Sequence, residues 1–216
     1  MKEVKCVSND IVLVGSFSGN PYMDTNWLAK ELIVSQKEQA VNFNINVDAI
    51  SHEASFTVRS EHLSVEVEKG RMVFKHSPFA PEAFDVIEKM AITLAERLPL
   101  TTCTALGVNF LFSCKPEDDD LDCRFVPKGV FNVADGINIQ HSSFAYKISD
   151  TDTMNIAITK NHADKDFPLN VSFNFDSRML SKDGLPYVTL AKNKLLDSSL
   201  AYYYKKALSV LGRSVE

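Results

Sequence analysis

Strict alternation of apolar and polar residues governs most of this chain. The stretch "VNFNINV" sets Val41, Phe43, Ile45 and Val47 on one side and Asn42, Asn44 and Asn46 on the other. Successive side chains of a strand point to opposite faces, so this pattern makes a ribbon with one buried face and one wet face. "ASFTVR" repeats it with Ala54, Phe56 and Val58, and "LSVEVE" with Leu63, Val65 and Val67. The link Ser60-Glu61-His62 is short enough for a hairpin. Lys69-Gly70 marks a further turn, and "RMVFKH" adds a strand with Met72 and Phe74 inward. Four strands in antiparallel succession are the expectation here, preceded by two strands ahead of the first helix.

The period then changes. From Pro81 to Leu98 the apolar positions Phe84, Ile87, Met90, Ala91, Leu94 and Leu98 fall at steps of three and four. That draws one stripe along a helix. Pro81 suits its first turn and Pro99 stops it. An earlier helix is expected over "TNWLAKELI", capped by Asp24.

The second half repeats the theme. "TALGVNFLF" places Leu106, Val108, Phe110 and Phe112 on one face, and Ala105, Gly107, Asn109 and Leu111 on the other. "INIQHSSFAYKI" changes parity between Ile139 and Phe144, which predicts a bulge near His141 to Ser143. "TMNIAITK" and "LNVSFNF" alternate again. "KLLDSSLAYYYKKALSVLG" reads as a closing helix with Leu196, Leu200, Tyr203, Ala207 and Leu211 on one stripe and Gly212 at its end. The expected fold is α+β: mainly antiparallel sheet in two meanders, about three helices on one face, the last one closing the core. With 216 residues it reads as one domain, residues 1–216, and two pseudo-equivalent halves, about 1–99 and 100–216, are conceivable.

Composition excludes several functions. A formal net charge of -5 disfavours nonspecific nucleic-acid binding. No apolar run approaches the roughly 20 residues of a membrane helix, and the start of the chain lacks a signal-peptide pattern. The expected location is therefore cytoplasmic. Cys6, Cys103, Cys114 and Cys123 read as free thiols, and none are spaced as C-x-x-C.

The candidate chemistry is sparse. "CKPEDDDLDC" places Glu117, Asp118, Asp119, Asp120 and Asp122 between two cysteines. From Asp118 the first three positions of a calcium loop fit, but Cys123 stands where glycine is needed and Gly129 where a bidentate glutamate is needed. The segment reads as a solvated connector, with Glu117, Asp118 and Asp119 offering a charged contact. His52 and His62 lie at opposite ends of the expected hairpin, about 20 Å or more apart, and share no metal. "NHADKD" gathers His162, Asp164 and Asp166 in what is most simply a turn. "GSFSG" centres on Phe17, where a nucleophile elbow requires serine. No phosphate-binding glycine motif occurs. No catalytic residue, metal or cofactor is assigned.

Two surfaces remain. The asparagines and Ser172 along Asn42–Asn46 and Asn170–Asn174 make the wet side of a sheet, able to hydrogen-bond a ligand. In "AYYYKKA" three consecutive tyrosines span about 200° of a helix, so one face cannot bury them all. Tyr202, Tyr204 and Lys205 are thus candidate interaction residues, since exposed tyrosines are enriched at interfaces. The expected function is a noncatalytic interaction or assembly module with a protein partner or a second copy of itself. The alternative is a small-ligand binder or enzyme whose pocket lies between the sheet and the last helix, with Asn109, Asn138, His141 and Tyr146 as its polar groups.

Overall fold

The alternating stretches pair edge to edge in a nine-stranded antiparallel sheet. The computed structural model describes residues 3–15, 30, 42–47, 54–68, 70–97, 104–115, 141–161, 163–178, 193–194 and 199–212. The strands are β1 (Glu3–Val14), β2 (Asn42–Val47), β3 (Ala54–Arg59), β4 (Leu63–Glu68), β5 (Arg71–His76), β6 (Ala105–Lys115), β7 (His141–Lys147), β8 (Asp152–Lys160) and β9 (Leu169–Arg178). Their order across the sheet is β2-β3-β4-β5-β1-β6-β9-β8-β7. The first strand of each half, β1 and β6, therefore meets at the centre. Their antiparallel pairing runs from Glu3 opposite Lys115 to Val14 opposite Ala105.

Two helices, α1 (Phe84–Arg97) and α2 (Leu200–Val210), follow β5 and β9 respectively. Both pack on the same side of the sheet. Phe84, Ile87, Met90 and Ala91 of α1 and Leu200, Tyr203 and Ala207 of α2 are buried against Ile11, Leu13, Phe74, Val108, Phe110, Phe173 and Phe175. Phe110 sits at the middle of this layer, edge-on to Phe84 and Phe175 with centroids 6.2 and 6.4 Å away. Edge-to-face geometry at that spacing favours aromatic pairs beyond their area burial.

Local chemistry sets the helix ends. A 3₁₀ turn over Pro81–Ala83 leads into α1. The Ser199 hydroxyl accepts the Tyr202 N–H at 3.3 Å, which caps α2 and satisfies a donor that has no partner within the helix. The Leu200 N–H donates to the Glu88 carboxylate, which ties the start of α2 to α1. Past the other end, Gly212 takes φ +73°, a left-handed conformation open to glycine at low cost.

Three expectations change. Among the described residues ahead of the expected first helix there is one long strand where two were expected: residues 3–14 are continuous apart from a register shift between Cys6 and Ser8. That bulge, at Val7, lets Val4 and Cys6 share the core side with Ile11 and Leu13 despite opposite parity. The bulge expected at His141 to Ser143 is not there, since β7 pairs with β8 without a shift from His141 to Lys147. The helix expected over residues 24–33 lies outside the described residues except for Lys30, which is helical.

Candidate functional site

Because the helices share one side, the other side of the sheet carries no helix among the described residues. Its side chains are the polar members of each alternating strand. The ladder registers align them into rows that cross the strands. One row passes from Asn155 on β8 through Asn174 on β9 and Asn109 on β6 to Asp10 on β1. It continues through Lys75 on β5 and Ser64 on β4 to Arg59 on β3 and Asn42 on β2.

The first half of this row is a directional chain of amides. Asn155 Nδ2 donates to Asn174 Oδ1 at 2.9 Å, Asn174 Nδ2 to Asn109 Oδ1 at 2.6 Å, and Asn109 Nδ2 to the Asp10 carboxylate at 2.5 Å. Each amide points the same way because each donates toward the carboxylate that ends the chain. An amide has two N–H bonds and two acceptor lone pairs, so Asn109 and Asn174 each keep one of each for a ligand. Asn174 lies across Gly107, its Nδ2 3.6 Å from where a Cβ would stand, so the row crosses a spot without a side chain of its own.

Burial pushes the Asp10 carboxyl above its usual range, while the Asn109 hydrogen bond and the Lys75 charge act the other way. Lys75 Nζ reaches Glu66 Oε2 at 3.2 Å, and Arg71 Nε reaches Glu68 Oε2 at 2.7 Å. By register the open face carries Lys5, Arg59, Arg71, Lys75, Lys115, Lys147 and Arg178 against Glu3, Asp10, Glu66, Glu68 and Asp176. Seven cations against five anions, in a chain of net charge -5, leave an excess of seven negative charges for the remaining surface.

Beside Asp10 the sheet parts. The β1–β5 ladder ends at the pair Asp10–Lys75, while β1 continues on β6 toward Glu3. A notch of about 360 Å³ opens there, lined by both faces of the sheet end and by the β3–β4 turn. Its polar lining includes Asn9, Asp10, Arg59, His62, Lys75 and His76. Asn9 is 1% exposed, and neither Nδ2 nor Oδ1 has a hydrogen-bond partner. On the far side of the Val7 bulge lies a second hollow reaching Asp164 and Asp166. There Asp164 Oδ1 accepts the N–H groups of Asp166 and Phe167, both at 3.0 Å, a turn held by its own side chain.

The residues singled out in the sequence fall in different places. Asn109 is central in the amide row. His141 shares its face but stands three strands away on β7, with Nδ1 3.3 Å from Thr159 Oγ1. Tyr146 is on the opposite face of β7, 62% exposed, and Asn138 lies outside the described residues. Asn109, His141 and Tyr146 are therefore not gathered. Between β9 and α2 the space is occupied by Phe175 and Tyr203, whose centroids are 4.8 Å apart. Tyr202 is 48% exposed with Lys206 Nζ 5.7 Å from its ring centre, and Lys205 is exposed. Tyr204 is instead drawn into the aromatic layer, stacked on Phe112 at 5.9 Å and against Phe84 at 5.6 Å. Glu117, Asp118 and Asp119 lie outside the described residues.

Among the described residues no group of three His, Cys, Asp or Glu side chains could hold a metal ion, and no helix is long and apolar enough to cross a membrane. Asp10 and Asn9 escaped sequence reading. The parity change between Val4/Cys6 and Ile11/Leu13 was their only signal, because it puts an asparagine where the core pattern wants an apolar residue. Compared with family models, curated proteins and solved structures, the chain finds no match.

Proposed function

We propose that this chain is a noncatalytic, cytoplasmic interaction module whose working surface is the face of its sheet opposite α1 and α2, and that its partner is a second copy of itself. The observation that carries the reading is the hydrogen-bonded row from Asn155 to Asp10, continued by Lys75 and Arg59, on the sheet face opposite α1 and α2. Such a row offers donors and acceptors at the spacing of adjacent strands, about 4.8 Å, and suits a flat, polar counterpart. Charge supports a second copy. The face is net positive, and the rest of the same chain carries the excess of acid, including the segment Glu117–Asp122. Among the described residues Arg59, Lys115 and Arg178 form no ion pair within the chain. Complementary charge of this kind sets register and association rate more than affinity. A free thiol at Cys6 accords with a reducing compartment.

Sedimentation velocity at low and high salt tests the reading. A dimer that weakens as salt rises is expected, and the double substitution Lys115→Glu with Arg178→Glu should weaken it about tenfold or more. A monomer at every salt concentration up to about 100 μM protein would overturn it.

A further inference from the structure

We propose that the outer edge of β7 is a second docking surface, on which β7 of another copy of the chain adds antiparallel and joins two sheets into one. Among the described residues β7 is last in the strand order and pairs only with β8. The hydrogen-bond pattern fixes which of its main-chain groups face outward. The Ile148 N–H donates to the Asp152 carbonyl at 2.9 Å, so this pair closes the β7–β8 ladder as a hydrogen-bonded one. The Arg178 N–H donates to the Thr151 carbonyl at 2.9 Å, so the odd-numbered residues of β8 bond to β9 and the even-numbered ones to β7. Bonded and non-bonded pairs alternate along an antiparallel ladder. Ser142, Phe144 and Tyr146 therefore bond to β8, and the N–H and C=O groups of Ser143, Ala145 and Lys147 point away from it. None of these outward main-chain groups has a partner among the described residues.

Natural sheets guard an open edge with proline, a bulge, a very short strand or charge. β7 runs for seven residues without proline or register shift, and five of the seven are exposed. Lys147 stands at its end and is already paired with Asp150 at 2.8 Å. Tyr146, at 62%, is the most exposed large apolar side chain among the described residues. The sequence "HSSFAYK" also complements itself about its centre. With Phe144 opposite its own copy, all seven residues pair, and a shift by two leaves fewer paired. Ser143 then faces Ala145 of the other copy, and the two exchange both hydrogen bonds of a bonded pair. Phe144 meets its copy in a non-bonded pair, where side chains come closest, and Ser142 leaves room for Tyr146. A slip by one residue would set outward groups against inward ones and reverse the faces. A single strand pair buries less than the roughly 1,200 Å² of a standard interface, so the association is weak. It rests on main-chain hydrogen bonds and aromatic contact, which makes it independent of the charged face opposite α1 and α2.

Sedimentation velocity of the full chain at about 0.5 M salt, where contacts between exposed charges are screened, tests this. A dimer is expected at about 100 μM protein. Ala145→Pro removes one outward N–H and no bond to β8, so it should give a monomer with an unchanged circular dichroism spectrum. Register has its own test. Ser143→Cys protein mixed with Ala145→Cys protein should form a disulfide between the two new cysteines on mild oxidation, identified by peptide mapping, because a bonded pair has Cα atoms about 5.5 Å apart. Neither variant alone should do so at its new cysteine, since like positions are diagonal neighbours about 7–8 Å apart. A wild-type monomer at 0.5 M salt, a folded Ala145→Pro variant that still dimerises, or a mixture without the cross-link would each overturn the assignment.

Discussion

Replacing Asn9 by leucine should make the protein more stable, which is the reverse of most core substitutions. Asn9 is 1% exposed on a strand whose neighbours Ile11 and Leu13 are fully buried, and its amide forms no hydrogen bond. Each unpaired buried polar group costs about 1–3 kcal/mol. Leucine removes that cost and adds apolar burial worth about 1.5–3 kcal/mol. Against this stands a change of shape in a packed interior, typically about 1–3 kcal/mol. The net expectation is a gain of about 1–3 kcal/mol. In a chain of this size each kcal/mol moves Tm by about 2–4 °C, so the melting point should rise by about 2–12 °C. Urea denaturation followed by far-UV circular dichroism gives the free energy directly, and an unchanged m-value shows that the folded and unfolded states are otherwise alike. A loss of stability greater than about 1 kcal/mol would refute the reasoning, because it would mean that the amide is satisfied in solution and holds the strand in place. Asn109→Leu supplies the control. That amide donates to Asp10 and accepts from Asn174, so the same exchange of side chains should destabilise.

Further outcomes follow from the same geometry. Phe110→Ala, at the centre of the aromatic layer, should cost about 3–5 kcal/mol in a urea melt. Ser199→Ala removes the cap of α2 and should cost about 1 kcal/mol by the same assay. Burial pushes the Cys6 thiol up to about 12, so Cys6 in the folded protein, followed by peptide mapping, should react with iodoacetamide at pH 8 more than about a hundredfold slower than in the unfolded chain. Burial also raises the Asp10 carboxyl. Its contribution to stability is present in full below the unfolded value and is lost as pH rises through the folded one. Asp10→Asn should therefore stabilise at pH 7 and change little at pH 3, measured by chemical denaturation at both. Asp152 behaves oppositely. Burial alone would raise it, but the Lys194 ammonium at 2.8 Å and the Ser177 and Ser149 hydroxyls hold it low. The stability it supplies is lost as pH falls below the ordinary carboxylate range, and Asp152→Asn should flatten that acid limb of the curve.

The alternation of "VNFNINV", "LSVEVE" and "LNVSFNF" determined that this chain forms sheet with one wet face, because a two-residue period has no other regular solution. The stripe of Phe84, Ile87, Met90 and Ala91, and that of Leu200, Tyr203 and Ala207, likewise fixed two helices and the sides they bury. The asparagines of the wet face were visible as candidates one strand at a time. What tertiary structure alone decided was their alignment. Strand order puts β1 against β6 and β6 against β9, and only the pairing registers bring Asp10, Asn109 and Asn174 into one row from positions up to 164 residues apart. Register over such separations depends on the whole set of buried contacts, which no local window contains. Tyr204 shows the same limit. Helical spacing showed that three adjacent tyrosines could not all be buried, but which one stayed wet depended on Phe84, Phe110 and Phe112 arriving from elsewhere to enclose Tyr204 and leave Tyr202 outside. The notch arose in the same way: β5 leaves β1 after the pair Asp10–Lys75 while β1 runs on along β6, and that mismatch of strand lengths exists only once the strands have met.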